Sequence, residues 1–101
     1  MQLLSITAIE EFGEAIKKIL QQSGVAQYSY TSVTGYRDNT TESVGDNWFA
    51  SEMNETASML FWVFASDQHV AKLMQAVTNF NQQLQSASKI HLFTLQINQS
   101  L

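Results

Sequence analysis

Cysteine is missing from these 101 residues, which rules out disulfides and thiolate metal sites. Proline is missing as well, and no apolar run approaches the roughly 20 residues that a bilayer-spanning helix needs. Met1–Ile9 lacks the basic head of a secretory signal and runs straight into Glu10-Glu11. The expectation is a cytoplasmic protein with no direct membrane insertion. Positive charge is scarce: five Lys and Arg stand against nine Asp and Glu, for a formal charge of -4. A chain without a basic stripe is poorly suited to a phosphate backbone, so nucleic acid is not an expected partner. The two histidines, His69 and His91, are separated by a whole predicted helix. No local metal-ligand spacing and no Ser-His-acid arrangement emerges, so neither a metal nor a catalytic residue is assigned.

What remains is rich in periodicity. Leu3–Ile9 alternates, with Leu4, Ile6 and Ala8 on one side and Ser5 and Thr7 on the other, which predicts a strand. Glu10–Ser23 switches to helical spacing, with Phe12, Ile16, Ile19 and Leu20 on one face. Its acids Glu10, Glu11 and Glu14 crowd the positive end of the helix dipole, Glu14 stands four residues before Lys18, and Gly24 fits the stop position. Val25–Tyr36, rich in Tyr, Thr, Ser and Val, predicts a second strand, and the strongly apolar Thr56–Ala65 a third. Ser66 or Asp67 caps a second helix in which Val70, Leu73, Met74, Val77, Phe80 and Leu84 recur at helical intervals. Ile90–Ile97 is the fourth strand.

The order β-α-β-β-α-β predicts one α+β domain over residues 1–101, a ferredoxin-like sandwich. Its four-stranded antiparallel sheet carries both helices on one face, with strands one and three central. The other face is left bare. Strand three is apolar on both sides, because Met59, Phe61 and Val63 alternate with Leu60, Trp62 and Phe64. Strand four adds Phe93, Leu95 and Ile97 on one parity. So much exposed apolar surface predicts burial by oligomerisation.

Between strands two and three lies a polar, acidic loop, 37–55, carrying Asp38, Glu42, Asp46, Glu52 and Glu55 with Arg37 as its only base. A connection this long in a compact domain is usually functional or disordered. Trp48-Phe49 inside it is a candidate partner-binding anchor, because aromatics often dominate interfaces. At the root, Arg37 could bind an anion or pair with a neighbouring acid, and Gly35 permits close backbone approach.

Ser32-Val33-Thr34-Gly35-Tyr36-Arg37, followed by that loop, resembles the PII-type signal-transduction proteins, as do Asn39 and the Ser66-Asp67 start of the second helix. The resemblance implies a homotrimer that binds a small molecule in clefts between subunits. It also implies a loop, 38–55, that contacts a protein target such as a membrane transporter or an enzyme. The candidate ligand-binding residues are then Gly35, Tyr36, Arg37, Asn39 and Lys89, with ligand contacts at the root biasing the order of the loop. Departures are specific. The family's glycine-rich nucleotide loop after the second helix is replaced by Ser86-Ala87-Ser88-Lys89. The family's basic residues near the end of strand four give way to Gln96, Asn98 and Gln99, and the loop has no tyrosine for uridylylation. No cofactor is therefore assigned, and the reading is a divergent, non-enzymatic regulator whose ligand need not be ATP or ADP. Two alternatives stay open: a metal-responsive CutA-like protein, and a dimeric ferredoxin-like enzyme of the monooxygenase type.

Overall fold

The computed structural model describes residues 1–36, 55–85 and 87–101. The sheet is built from β1 (Gln2–Ile9), β2 (Ser29–Tyr36), β3 (Glu55–Ala65) and β4 (His91–Gln96), in the spatial order β2-β3-β1-β4. Every pairing is antiparallel, so the predicted central strands, one and three, are central. After β1 a 3-10 turn, Glu10–Phe12, leads into α1 (Gly13–Gln22), and α2 (Asp67–Gln83) connects β3 to β4. This is the ferredoxin-like arrangement.

The core lies between the sheet and the helices. Leu4, Ile6 and Ala8 of β1 and Met59, Phe61, Val63 and Ala65 of β3 meet Ile16, Ile19 and Leu20 of α1 and Val70, Leu73 and Val77 of α2. Each fully buried side chain of this size contributes on the order of 1.5–3 kcal/mol. Phe12 and Phe80 lock the two helices edge to face at 5.5 Å. Ser66 is the cap of α2, its Oγ accepting the His69 N–H at 3.4 Å. Gly24, at φ 84°, reverses the chain after α1, where its conformation excludes most other residues.

Four expectations are corrected in detail. The first helix begins as a 3-10 turn and becomes α-helical only at Gly13, because neither Ile9 nor Phe12 offers a capping side chain. The second strand starts at Ser29, not Val25; Val25 is buried instead, its N–H bonded to Leu20 O as part of the turn out of α1. Met74 is exposed, one position off the buried stripe of α2. Glu14 pairs with Lys17 at 3.3 Å rather than with Lys18, because the Lys17 ammonium is also drawn over the Tyr30 ring, 4.5 Å from its centroid.

The register defines the bare face row by row. Phe64, Leu3 and Leu95 lie side by side, then Ser29, Trp62, Ser5 and Phe93, then Thr31, Leu60, Thr7 and His91. Trp62, Phe64, Phe93 and Leu95 are 49%, 59%, 42% and 53% exposed, which makes this a contiguous apolar surface.

Candidate functional site

Antiparallel pairing decides which candidates can meet. β1 and β2 finish, and β3 and β4 begin, at one end of the sheet, the Ile9 end. Gly35 and Tyr36 close β2 there, opposite Thr56 and Glu55 of β3. Gly35 is buried in extended backbone, whereas Tyr36 is exposed. Lys89 stands just before β4 at the same end. β2 and β4 are the two edges of the sheet, so three strand spacings, about 14 Å, separate them within one chain. The structure thus brings Gly35, Tyr36 and Lys89 to one end but to opposite edges. Arg37, Asn39, Trp48, Phe49 and the acids Asp38, Glu42, Asp46 and Glu52 lie outside the described residues.

Lys89 is not a dangling surface charge. Its ammonium donates to the Asn81 carbonyl at 3.0 Å, in the last turn of α2, where a cation meets the negative end of the helix dipole. The side chain of Asn81 holds both sides of the next residue: Nδ2 donates to Ile90 O at 2.8 Å, and Ile90 N donates to Oδ1 at 2.9 Å. Asn81 O also accepts the Leu84 N–H at 3.3 Å. One asparagine therefore fastens the whole approach to β4. The sequence reading missed it. The available signal was an amide in the last helical turn, nine residues before a buried Ile90 at the root of a strand.

Charge at the Ile9 end is negative among the described residues. Glu10 and Glu11 follow β1 and Glu55 opens β3, all three exposed, against the single cation Lys89.

The histidines fall apart in space. His69 is in the first turn of α2, which follows the last residue of β3, while His91 opens β4 at the Ile9 end. Five residue rises of the sheet, roughly 17 Å, separate the row of His91 and Thr7 from the row of Gln2 and Ala65 that leads into α2. His69 instead packs over Gly24, whose position for a Cβ is 3.3 Å from Nε2. No group of three His, Asp or Glu side chains converges among the described residues.

Tyr28 and Tyr30 belong to the helix-covered side of the sheet. The Tyr30 ring stacks on Phe61 at 5.3 Å and Tyr28 lies 5.9 Å from the same ring. An open groove of about 570 Å³ runs beside them between α1 and the turn, with Lys17, Lys18, Gln21, Val25 and Tyr28 among its walls. The Lys17 ammonium is held above its ordinary range, first by Tyr30 and then by Glu14.

No described helix is long and apolar enough to cross a membrane. No protein-family model matches the chain, and no curated protein matches it either. Solved structures do. The chain is similar to CPII, a nitrogen regulatory PII-like protein from Thiomonas intermedia K12, bound to ADP, AMP and bicarbonate. Identity is 13%, 99% of this chain and 94% of that one are covered, and the TM-score is 0.63. The apo form of the same protein gives 16% identity over 95% of this chain and 89% of that one, with a TM-score of 0.61. A DUF3240 family protein from Shewanella baltica OS155 gives 15% identity over 98% and 91%, with a TM-score of 0.67. At these identities the likeness is one of architecture: this chain has the fold of the PII-like proteins.

Proposed function

We propose that this chain is a divergent PII-like regulatory protein, not an enzyme, that assembles as a homotrimer and binds a small anionic ligand at the seams between subunits. The observation that carries the reading is the placement of Gly35 and Tyr36 on one edge of the sheet and Lys89 on the other, at the same end. A single chain keeps these groups apart. Copies arranged edge beside edge, with their apolar faces turned inward, would set the β2 root of one beside the β4 root of the next. The exposed row of Trp62, Phe64, Phe93 and Leu95 supports such an assembly, since a monomer would leave it in water.

The ligand reading draws on CPII, which binds ADP, AMP and bicarbonate. In this chain Tyr36 would flank the ligand and Lys89 would meet its charge, with Arg37 and Asn39 following Tyr36 in the sequence. The loop 38–55 would then present Trp48 and Phe49 to a protein target, a transporter or an enzyme in the cytoplasm. No nucleic acid is involved in this scheme, since the chain is acidic.

The test is the oligomer mass by light scattering, followed by thermal melts with AMP, ADP and bicarbonate. A ligand that binds only the folded assembly raises its melting temperature. A monomer at micromolar concentration, indifferent to all three, would sink the proposal. A CutA-like metal site using both histidines of one chain is disfavoured by their positions at opposite ends of the sheet.

A further inference from the structure

Building on the seam reading, we propose that Asn81 is the positioning residue for Lys89 and that the pair sets the ligand class. The site takes one anionic group, a carboxylate, bicarbonate or single phosphate, and rejects a polyphosphate tail.

The geometry begins at Ile90. Both of its backbone groups are held by the Asn81 side-chain amide, at 2.8 and 2.9 Å, so the backbone next to Lys89 is tied to the last turn of α2. The Asn81 carbonyl then takes one of the three ammonium hydrogens of Lys89, at 3.0 Å. The side chain is thereby anchored at both ends, by its neighbour's peptide and by its own head group. Two ammonium hydrogens and one charge remain to meet a ligand. That inventory matches a carboxylate edge or the oxygens of one phosphate.

A chain of phosphates asks for more than this connector offers. Each further phosphate adds at least one negative charge within a Debye length, about 8–10 Å, of the same end. The described carboxylates there are Glu10, Glu11 and Glu55 against Lys89, and even with Arg37, next after Tyr36 in the sequence, these acids outnumber the bases. Like charges disfavour the longer anion, and Ile90 N–H, already bonded to Asn81, is not free to cradle it.

The experiment is calorimetric titration of the full chain at low salt with sodium bicarbonate, AMP, ADP and ATP as probes. The expected order is AMP tighter than ADP and ADP tighter than ATP. Lys89→Gln and Asn81→Ala should each weaken AMP roughly ten- to hundredfold, the scale of one lost hydrogen bond to a charged group. In the Lys89→Gln background, Asn81→Ala should cause no further loss, because the asparagine acts through the lysine. Full additivity of the two losses would overturn the positioning role. ATP binding as tightly as AMP would overturn the ligand class while leaving the seam reading intact. If Asn81→Ala does not fold, Lys89→Gln alone decides: unchanged AMP affinity overturns the proposal. Failure of every probe to bind the unaltered chain would remove the seam reading itself.

Discussion

The Lys17 ammonium sits 4.5 Å above the centre of the Tyr30 ring, and that ring stacks in turn on Phe61, 5.3 Å away in the buried core. A helix-surface charge is thus connected through an aromatic pair to the middle of the sheet. Tyr30 belongs to an edge strand, so the contact clamps α1 over that edge.

The clamp has a pH signature. Tyr30 first, and Glu14 second, hold the Lys17 ammonium above its ordinary value of 10.5. A lysine raised in the folded state contributes stability that is fully present below its unfolded value. The contribution is lost as pH rises through the folded value. The window therefore opens above 10.5, and Lys17 should add no pH dependence to stability near neutrality. Tyr30→Leu removes the larger cause, so the Lys17 titration followed by side-chain NMR should move back toward the ordinary value. An unmoved titration would show that Glu14 alone sets it.

Among the described glycines, Gly24 is the one at positive φ, where a side chain is strained. Its φ of 84° is disfavoured for L-residues, and an added Cβ would stand 3.3 Å from His69 Nε2. Gly24→Ala should lower stability by about 1–2 kcal/mol from the backbone alone, read as a shift in the urea midpoint. Combining it with His69→Ala should restore only part of the loss, since the backbone term remains. Full recovery would locate the whole cost in the ring contact.

Architecture was legible in the chain because period-two and period-3.6 patterns are local and repeated. Leu4, Ile6 and Ala8, or Ile16, Ile19 and Leu20, declare their face without outside help, and all are buried as expected. Asn81 was not legible for the opposite reason. Its partners, Ile90 and Lys89, are nine and eight residues away across an irregular connector, and an asparagine on a helix carries no period. The early end of β2 was hidden for a related reason. Val25 suits a strand by propensity, but the turn at Gly24 spends its N–H on Leu20 O before the sheet can use it. For the candidate site, the sequence named Gly35, Tyr36 and Lys89 but could not place them on opposite edges, which depends on strand order.

Asn81 also carries stability that is independent of any ligand. Asn81→Ala leaves the partly buried Ile90 N–H and C=O without their partners. The expected cost is roughly 1–3 kcal/mol, seen as a lower melting temperature of the ligand-free protein. Asn81→Asp keeps the acceptor for Ile90 N–H but sets a carboxylate against Ile90 O, so it should not rescue the alanine variant. Rescue by aspartate would mean that the single bond from Ile90 N–H suffices.

Phe61 and Phe64 share a strand and a residue type, yet they face opposite directions and should fail differently. Phe61 is fully buried between sheet and helices, whereas Phe64 is 59% exposed beside Leu3 on the bare face. Phe61→Ala should cost about 3–5 kcal/mol, enough to unfold much of a domain whose total stability is of order 5–15 kcal/mol. Circular dichroism would report that as a loss of cooperative melting. Phe64→Glu should leave each subunit folded, because the side chain touches water rather than core. Its carboxylate would instead be forced into any contact between apolar faces, at a cost that dissociates the assembly. Light scattering over a range of concentrations separates the two outcomes: monomer mass with an intact spectrum for Phe64→Glu, and spectral loss for Phe61→Ala. An assembly whose mass is unchanged by Phe64→Glu would show that the bare face is not where the subunits meet.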